Sequence, residues 1–378
     1  LRPTASSPVR RPAPAPDPSP SPSPRNYDFD GVNSHAFAGN AAIGRTLLGW
    51  TITAILKELN PDRQTRSRWQ GVWRVRSSDE PKDSMGGFVM KLFRTRDEDE
   101  GEPHEYTACK ALVAPVAGAW PGIAPILACR DQPPFYFIIT PFYEDGTLGS
   151  YFADHPEQRT LQNTLLAMKS VLAGVGYAAY RIKTSAHNDI KPDNIAVSVS
   201  DAGGQSVLDV HLLDWGFSAE ETGGTPFYAA PERWRGEARD QVAHPVEKLG
   251  QLGEIYGIAA VMYWAITGSP PRYDLDVWRS SDQVIAFQGT SARATPIKNR
   301  LHSPDLIPDS LADLIDRWLD PDPLRRLKRS AESIDYRDLE EGALQLAEAE
   351  FVKVADEALK LVTAATVPLG SRVAKETA

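Results

Sequence analysis

The segment His187-Asn188-Asp189-Ile190-Lys191-Pro192-Asp193-Asn194 constrains this chain more than any other. Asp214-Trp215-Gly216 follows it, and then Gly224-Thr225-Pro226-Phe227-Tyr228-Ala229-Ala230-Pro231-Glu232. Asp, Asn and Gly also serve as plain turn and capping residues. Three such segments agreeing in order and spacing ask for more than loop closure. Carboxylate and amide oxygens suit hard cations, and a nearby carboxylate can accept a proton from a hydroxyl.

The chain can bury a core, since 42% of its residues are hydrophobic. Its length suits one large domain or two small ones. A net charge of -9 argues against a primary nucleic-acid binder. Two cysteines, Cys109 and Cys129, make no disulfide framework and fit the cytoplasm or another reducing intracellular compartment. There is no apolar run of transmembrane length and no signal-peptide core. A first residue of Leu fits a processed or cut end.

Residues 1–26 are mostly Pro, Ser, Ala and Arg. Such a segment buries too little to offset its ordering entropy, so a disordered tail is expected. It serves as a linker, or more sharply as a phosphorylated tail, a proline-motif ligand or a tether. Thr51–Leu59, Trp69–Ser77 and Phe88–Phe93 read as strands, with a turn over Ser78–Gly87. Glu102–Val113 reads as a helix, and Ile126–Cys129 and Tyr136–Thr140 as further strands. From Leu148 the pattern is mainly helical. A last helix from about Tyr336 to Thr366 carries Leu344, Ala347, Phe351, Ala355, Ala358 and Val362 as one stripe. That stripe packs on the rest of the chain, or docks a partner.

The three segments resemble the protein-kinase family, in its serine/threonine branch: H-R-D-x-x-x-x-N, D-F-G, and G-T-P-x-Y-x-A-P-E. The resemblance covers residues 50–335 and implies a two-lobed α+β fold, a small β-rich lobe before a larger helical one. The expected division is a tail over 1–26, an extension and small lobe over 27–142, a large lobe over 143–335, and a C-terminal helical extension over 336–378. The resemblance makes Asp189 the catalytic base, with Lys191 near the transferring phosphate, and Asn194 and Asp214 ligands for Mg²⁺. Phe88-Val89-Met90-Lys91 resembles V-A-I-K, so Lys91 would grip the ATP phosphates and pair with Glu105, or failing that Glu102. Val72, Val89, Thr140, Phe142, Tyr143 and Ala196 would surround the nucleotide, Thr140 as gatekeeper. Glu232 would pair with Arg326, and Gly253–Ile258 would begin a buried central helix.

The sequence also departs from the family. Between Leu59 and Val72 the glycine-rich phosphate loop is absent; only Gly71 remains, with Arg63, Arg66 and Arg68 as substitute charges. Asn188 replaces the arginine that usually binds an activation-loop phosphate, which implies activity without phosphorylation of Ser218, Thr222 or Thr225; the resemblance gives Thr225 a structural part in the substrate site. Should another cation replace that arginine, Arg181 is a candidate. Trp215 stands for Phe, and Glu254 for the Asp that braces the catalytic loop. The implied function is ATP-dependent transfer to Ser and Thr hydroxyls of protein substrates. The rival from another class is a pseudokinase scaffold. A small-molecule phosphotransferase is disfavoured by Thr225–Glu232.

Overall fold

Alternating apolar and polar residues build strands in the first part of the chain. The computed structural model describes residues 42–47, 49–57, 69–81, 87–94, 101–113, 120–132, 135–182, 187–202, 205–216, 224–233, 250–271, 294–301, 307–327 and 336–362. Six strands form one antiparallel sheet: β1 (Thr46–Leu47), β2 (Trp50–Lys57), β3 (Trp69–Ser77), β4 (Phe88–Arg94), β5 (Ala128–Gln132) and β6 (Phe135–Pro141), in the order β1-β2-β3-β4-β6-β5. The strands match the expected ones closely, except that β5 starts two residues late, at Ala128; Ile126 joins the large core instead. Helix α1 (His104–Leu112) starts after Pro103, which has no N–H to donate to a preceding turn.

Side chains alternate across a strand, and the register uses that alternation. Trp73, Val75, Met90, Leu92, Phe137 and Ile139 bury one face of the sheet in its own core with Ile52 and Leu47. On the other face Val72 lies opposite Lys91, which lies opposite Ile138; one step along, Arg74, Val89 and Thr140 are aligned. Phe93, Tyr136 and Ile138 on this second face join α1 in the larger core, leaving the Val72–Lys91 region facing a cleft. Gly71 has a packing reason to be glycine: a Cβ there would lie 2.5 Å from the Trp73 ring.

The larger lobe holds α2 (Leu148–Asp154), α3 (Leu161–Ile182), α4 (Gly250–Thr267), α5 (Asp309–Trp318) and α6 (Tyr336–Val362). Helix α4 is buried from Glu254 through Tyr263, as expected of a helix apolar all round. The mainly helical reading from Leu148 missed a hairpin, β7 (Ile195–Ala202) and β8 (Gln205–Leu212), directly behind the His187–Asn194 segment. Its signal was legible: Ile195, Val197 and Val199 recur at every second position before Gly203-Gly204, and Leu208, Val210 and Leu212 alternate with Asp209 and His211 after it. In α6, Leu344, Ala347, Phe351, Ala355 and Ala358 are buried, and the helix packs on α3, α4 and α5. Arg317 of α5 reaches Glu350 of α6 at 2.6 Å. The Val362 side chain lies outside the described residues. Among the described residues no helix is long and apolar enough to cross a membrane.

Glu232 and Arg326 meet as expected. Arg326, fully buried, donates from Nη1 and Nη2 to the two carboxylate oxygens at 2.6 and 2.7 Å. It also donates to the carbonyls of Leu252 and Asp320. Removing one partner strands the other charge in the interior. Glu232→Ala should therefore lower stability by about 3–5 kcal/mol. Replacing both partners by apolar residues should be less damaging. Calorimetry on both variants checks this, with the exposed Glu357→Ala as reference; a Glu232→Ala loss no larger than the reference refutes it.

Candidate functional site

Strand β4 carries Lys91 into the cleft, where its Nζ donates to Glu105 Oε1 at 2.6 Å and to Asp214 Oδ1 at 3.0 Å. Glu105 is thus the partner; Glu102 pairs instead with Lys110 at 2.7 Å on the surface. Burial favours the neutral amine, but the two carboxylates outweigh it and hold Lys91 charged. Burial raises the Glu105 carboxyl and Lys91 pulls it back, so the ion-paired form is the one this geometry supports. For Asp214 burial also opposes charge, yet Lys91 and the Gly216 N–H hold its carboxyl well below the usual carboxylate range. Its side chain stays 45% exposed, open to the cleft.

The His187–Asn194 segment folds around Asp189. Asp189 Oδ2 accepts from Lys191 Nζ at 2.7 Å and Asn194 Nδ2 at 2.9 Å. Its Oδ1 accepts from the Thr225 hydroxyl at 2.7 Å, and Lys191 also donates to Thr225 Oγ1 at 2.7 Å. Thr225 therefore ties the third segment to the first. His187 is buried and donates from Nε2 to the Leu213 carbonyl at 2.6 Å, while its Nδ1 accepts the Asp189 N–H at 3.3 Å. Those bonds need the neutral ring, and burial lowers its pKa accordingly. Trp215 packs edge-on against it, with ring centroids 4.8 Å apart. His187 was not among the expected site residues, although it lies inside the first quoted segment; Thr225 was expected to serve the substrate site structurally, and its hydroxyl meets Asp189 and Lys191.

Asn188 has φ 67 and Asp214 φ 57, the left-handed region that Asn and Asp tolerate best after Gly. The Asn188 N–H donates to Glu254 Oε1 at 2.7 Å, so the longer side chain still reaches the loop. Glu254 is 2% exposed. Burial pushes its carboxyl up to about 7, against the Asn188 N–H and the Arg233 charge, with Asp189 adding to the rise. Arg181 does not serve this loop: it lies at the end of α3 and donates to the Ala111 carbonyl in α1 at 3.3 Å.

Val72, Val89 and Thr140 share the sheet face of Lys91. Ala196 is buried on β7 and bridges Thr147 at the start of α2. Tyr143 packs on His211 of β8, with centroids 5.1 Å apart, and Phe142 lies under the Arg74 guanidinium at 4.0 Å. The structure thus gathers most of the expected residues around one cleft. Arg63, Arg66, Arg68, Ser218 and Thr222 lie outside the described residues.

Mg²⁺ prefers oxygen ligands, few of them from protein. The donor set fits: Asp214 is an ionised carboxylate, and Asn194, with its nitrogen on Asp189, has its side-chain oxygen left for a cation. Among the described residues no group of three or more His, Cys, Asp or Glu is placed to hold a metal alone.

A family model described as "Protein kinase domain" matches residues 82–338. Among curated proteins, the chain is 28% identical over 168 residues to a probable serine/threonine-protein kinase, fhkD, of Dictyostelium discoideum, covering 42% of this chain and 21% of that one. It is 25% identical over 231 residues to a protein kinase and PP2C-like domain-containing protein of Arabidopsis thaliana, covering 54% and 33%. It is 23% identical over 261 residues to the phosphorylase b kinase gamma catalytic chain, liver/testis isoform, of Bos taurus, covering 64% and 57%. The chain thus spans less than two thirds of the length of each of these relatives.

The Glu254 bond gives a pH test. A carboxyl whose folded pKa lies above its unfolded value binds more protons when folded, so stability falls as pH rises from about 4.5 to about 7 and is flat above. Glu254→Gln keeps an acceptor for Asn188 and removes that term. Its melting temperature, measured from pH 5 to 8, should fall less with pH than that of the unaltered protein, with a gain of about 1–3 kcal/mol at pH 8. Parallel curves for the two proteins would show that Glu254 does not titrate in this range.

Proposed function

This chain belongs to the protein kinase family, and from that premise we propose that it is a catalytically competent kinase that transfers the ATP γ-phosphate to Ser and Thr hydroxyls of proteins. The observation that carries the reading is the double pairing of Lys91 with Glu105 and Asp214. It sets a charged ammonium and an ionised carboxylate side by side in one cleft, as phosphate binding requires. The Lys191-Pro192-Asp193-Asn194 form and the serine/threonine kinase relatives support hydroxyls of Ser and Thr.

Lys91 would hold the phosphates, and Asn194 and Asp214 the Mg²⁺. Bound Mg²⁺ neutralises charge on the phosphate oxygens. Val72, Val89, Thr140 and Ala196 would exclude water from the base, with Phe142 and Tyr143 along the hinge. Asp189 would accept the proton of the attacking hydroxyl at a carboxylate oxygen, oriented by Lys191, Asn194 and Thr225. Lys191, 22% exposed, then faces the transferring group with its remaining donor capacity. Cys109 and Cys129 are both free thiols, which supports a reducing compartment such as the cytoplasm.

Transfer from radiolabelled ATP to generic protein substrates tests the reading. Asp189→Asn should lower the rate by about 10²–10⁴-fold with nucleotide affinity nearly unchanged, since the base acts on the hydroxyl. Equal rates for Asp189→Asn and the unaltered protein would sink the assignment, and no transfer by either would favour the scaffold. Asp214→Asn should abolish transfer and weaken nucleotide binding only when Mg²⁺ is present. Calorimetric titration with and without Mg²⁺ reads this; a nucleotide affinity indifferent to Mg²⁺ overturns it.

A further inference from the structure

Arg74 lies on the cleft face of the sheet, in line with Val89 and Thr140 and one alternate position along β3 from Val72. Its neighbours Trp73 and Val75 turn the other way into the small-lobe core. The guanidinium sits 4.0 Å over the Phe142 ring and forms an ion pair from Nη2 to Glu144 Oε1.

The two ends of this arrangement are anchored in different lobes. Phe142 N–H donates to the Gly87 carbonyl, next to β4, at 2.8 Å. Beyond Glu144, Asp145 accepts the Val199 N–H of β7 at 2.9 Å, and the Gly146 carbonyl accepts that of Val197 at 2.9 Å. Glu144 therefore moves with the large lobe and Arg74 with the small one, and the pair crosses the hinge at the rim of the cleft. A planar guanidinium can stack on a ring and pair with a carboxylate together, which a lysine ammonium cannot match.

We propose that Arg74 is a positioning residue: with Phe142 and Glu144 it latches the lobes at the rim of the cleft and slows nucleotide release. The proposal rests on the reading of the cleft as a nucleotide site. Separating the lobes breaks the ion pair, while the Phe142 ring, which moves with the small lobe, keeps the guanidinium aimed at Glu144. Glu144 is 69% exposed, so the pair is screened and weak. That suits a latch opened at every turnover rather than a lock.

Stopped-flow release of a fluorescent ADP analogue from the full chain tests it. Arg74→Ala and Glu144→Gln should each speed release by about 3- to 10-fold. The double variant should be no faster than Arg74→Ala alone, and the exchange Arg74→Glu with Glu144→Arg should recover part of the loss. High salt should narrow the gap between the unaltered protein and Glu144→Gln. Unchanged release in both single variants, or additive effects in the double, overturns the latch while leaving the nucleotide site standing. Failure of the unaltered protein to bind the analogue overturns the nucleotide reading and the latch together.

Discussion

The bond from the Asn188 N–H to Glu254 is the constraint on which the cleft depends. Helix α4 is buried on every side through most of its length, and a carboxylate there is tolerable only with a partner. That partner is the backbone of the loop bearing Asp189. The loop is thereby hung from the most deeply buried helix, and neither can shift without exposing a polar group to apolar surroundings. Gly257, one turn along α4, keeps Ile190 close: a Cβ there would stand 3.2 Å from the Ile190 side chain. The core thus fixes where Asp189, Lys191 and Asn194 point.

The departures from the family take on physical meaning in this setting. Asparagine at 188 fits a left-handed backbone that most residues resist, so loss of the usual arginine removes a cation without straining the chain. Glutamate at 254 adds a methylene and still reaches its donor. Gly71, the survivor of the missing glycine loop, makes room for the Trp73 indole. Its retention says as much about the small-lobe core as about phosphates. The family model's match begins at residue 82, after β3, and so leaves out the stretch in which the glycine loop is missing.

Much of the molecule was legible in its residues. The bounds of β3 were readable because Trp69–Ser77 is β-branched and aromatic between polar turns. Glu105 over Glu102 was readable because apolar residues follow it at helical spacing, which turns it inward. The β7–β8 hairpin was equally visible but was masked by the helical character of the chain around it. What could not be read was three-dimensional pairing. Nothing local to Thr225 announces that its hydroxyl bridges Lys191 and Asp189, and nothing in Arg74 announces Phe142 and Glu144. Such bonds join segments far apart in sequence, so composition and periodicity carry no trace of them.

The Glu232–Arg326 pair joins residues 94 positions apart. A chain emerging from a ribosome makes Glu232 long before Arg326 exists, and domains settle as their parts arrive. Until then the large lobe has a carboxylate whose native home is closed to water and whose partner is unmade. The lobe cannot complete its packing early, and α4 must wait with it, since Arg326 also bonds the Leu252 carbonyl. The vulnerable interval is therefore the one just before Arg326 is made, when nearly the whole lobe is present and unfinished. Chaperone capture and proteolysis would be expected to act on that nascent form.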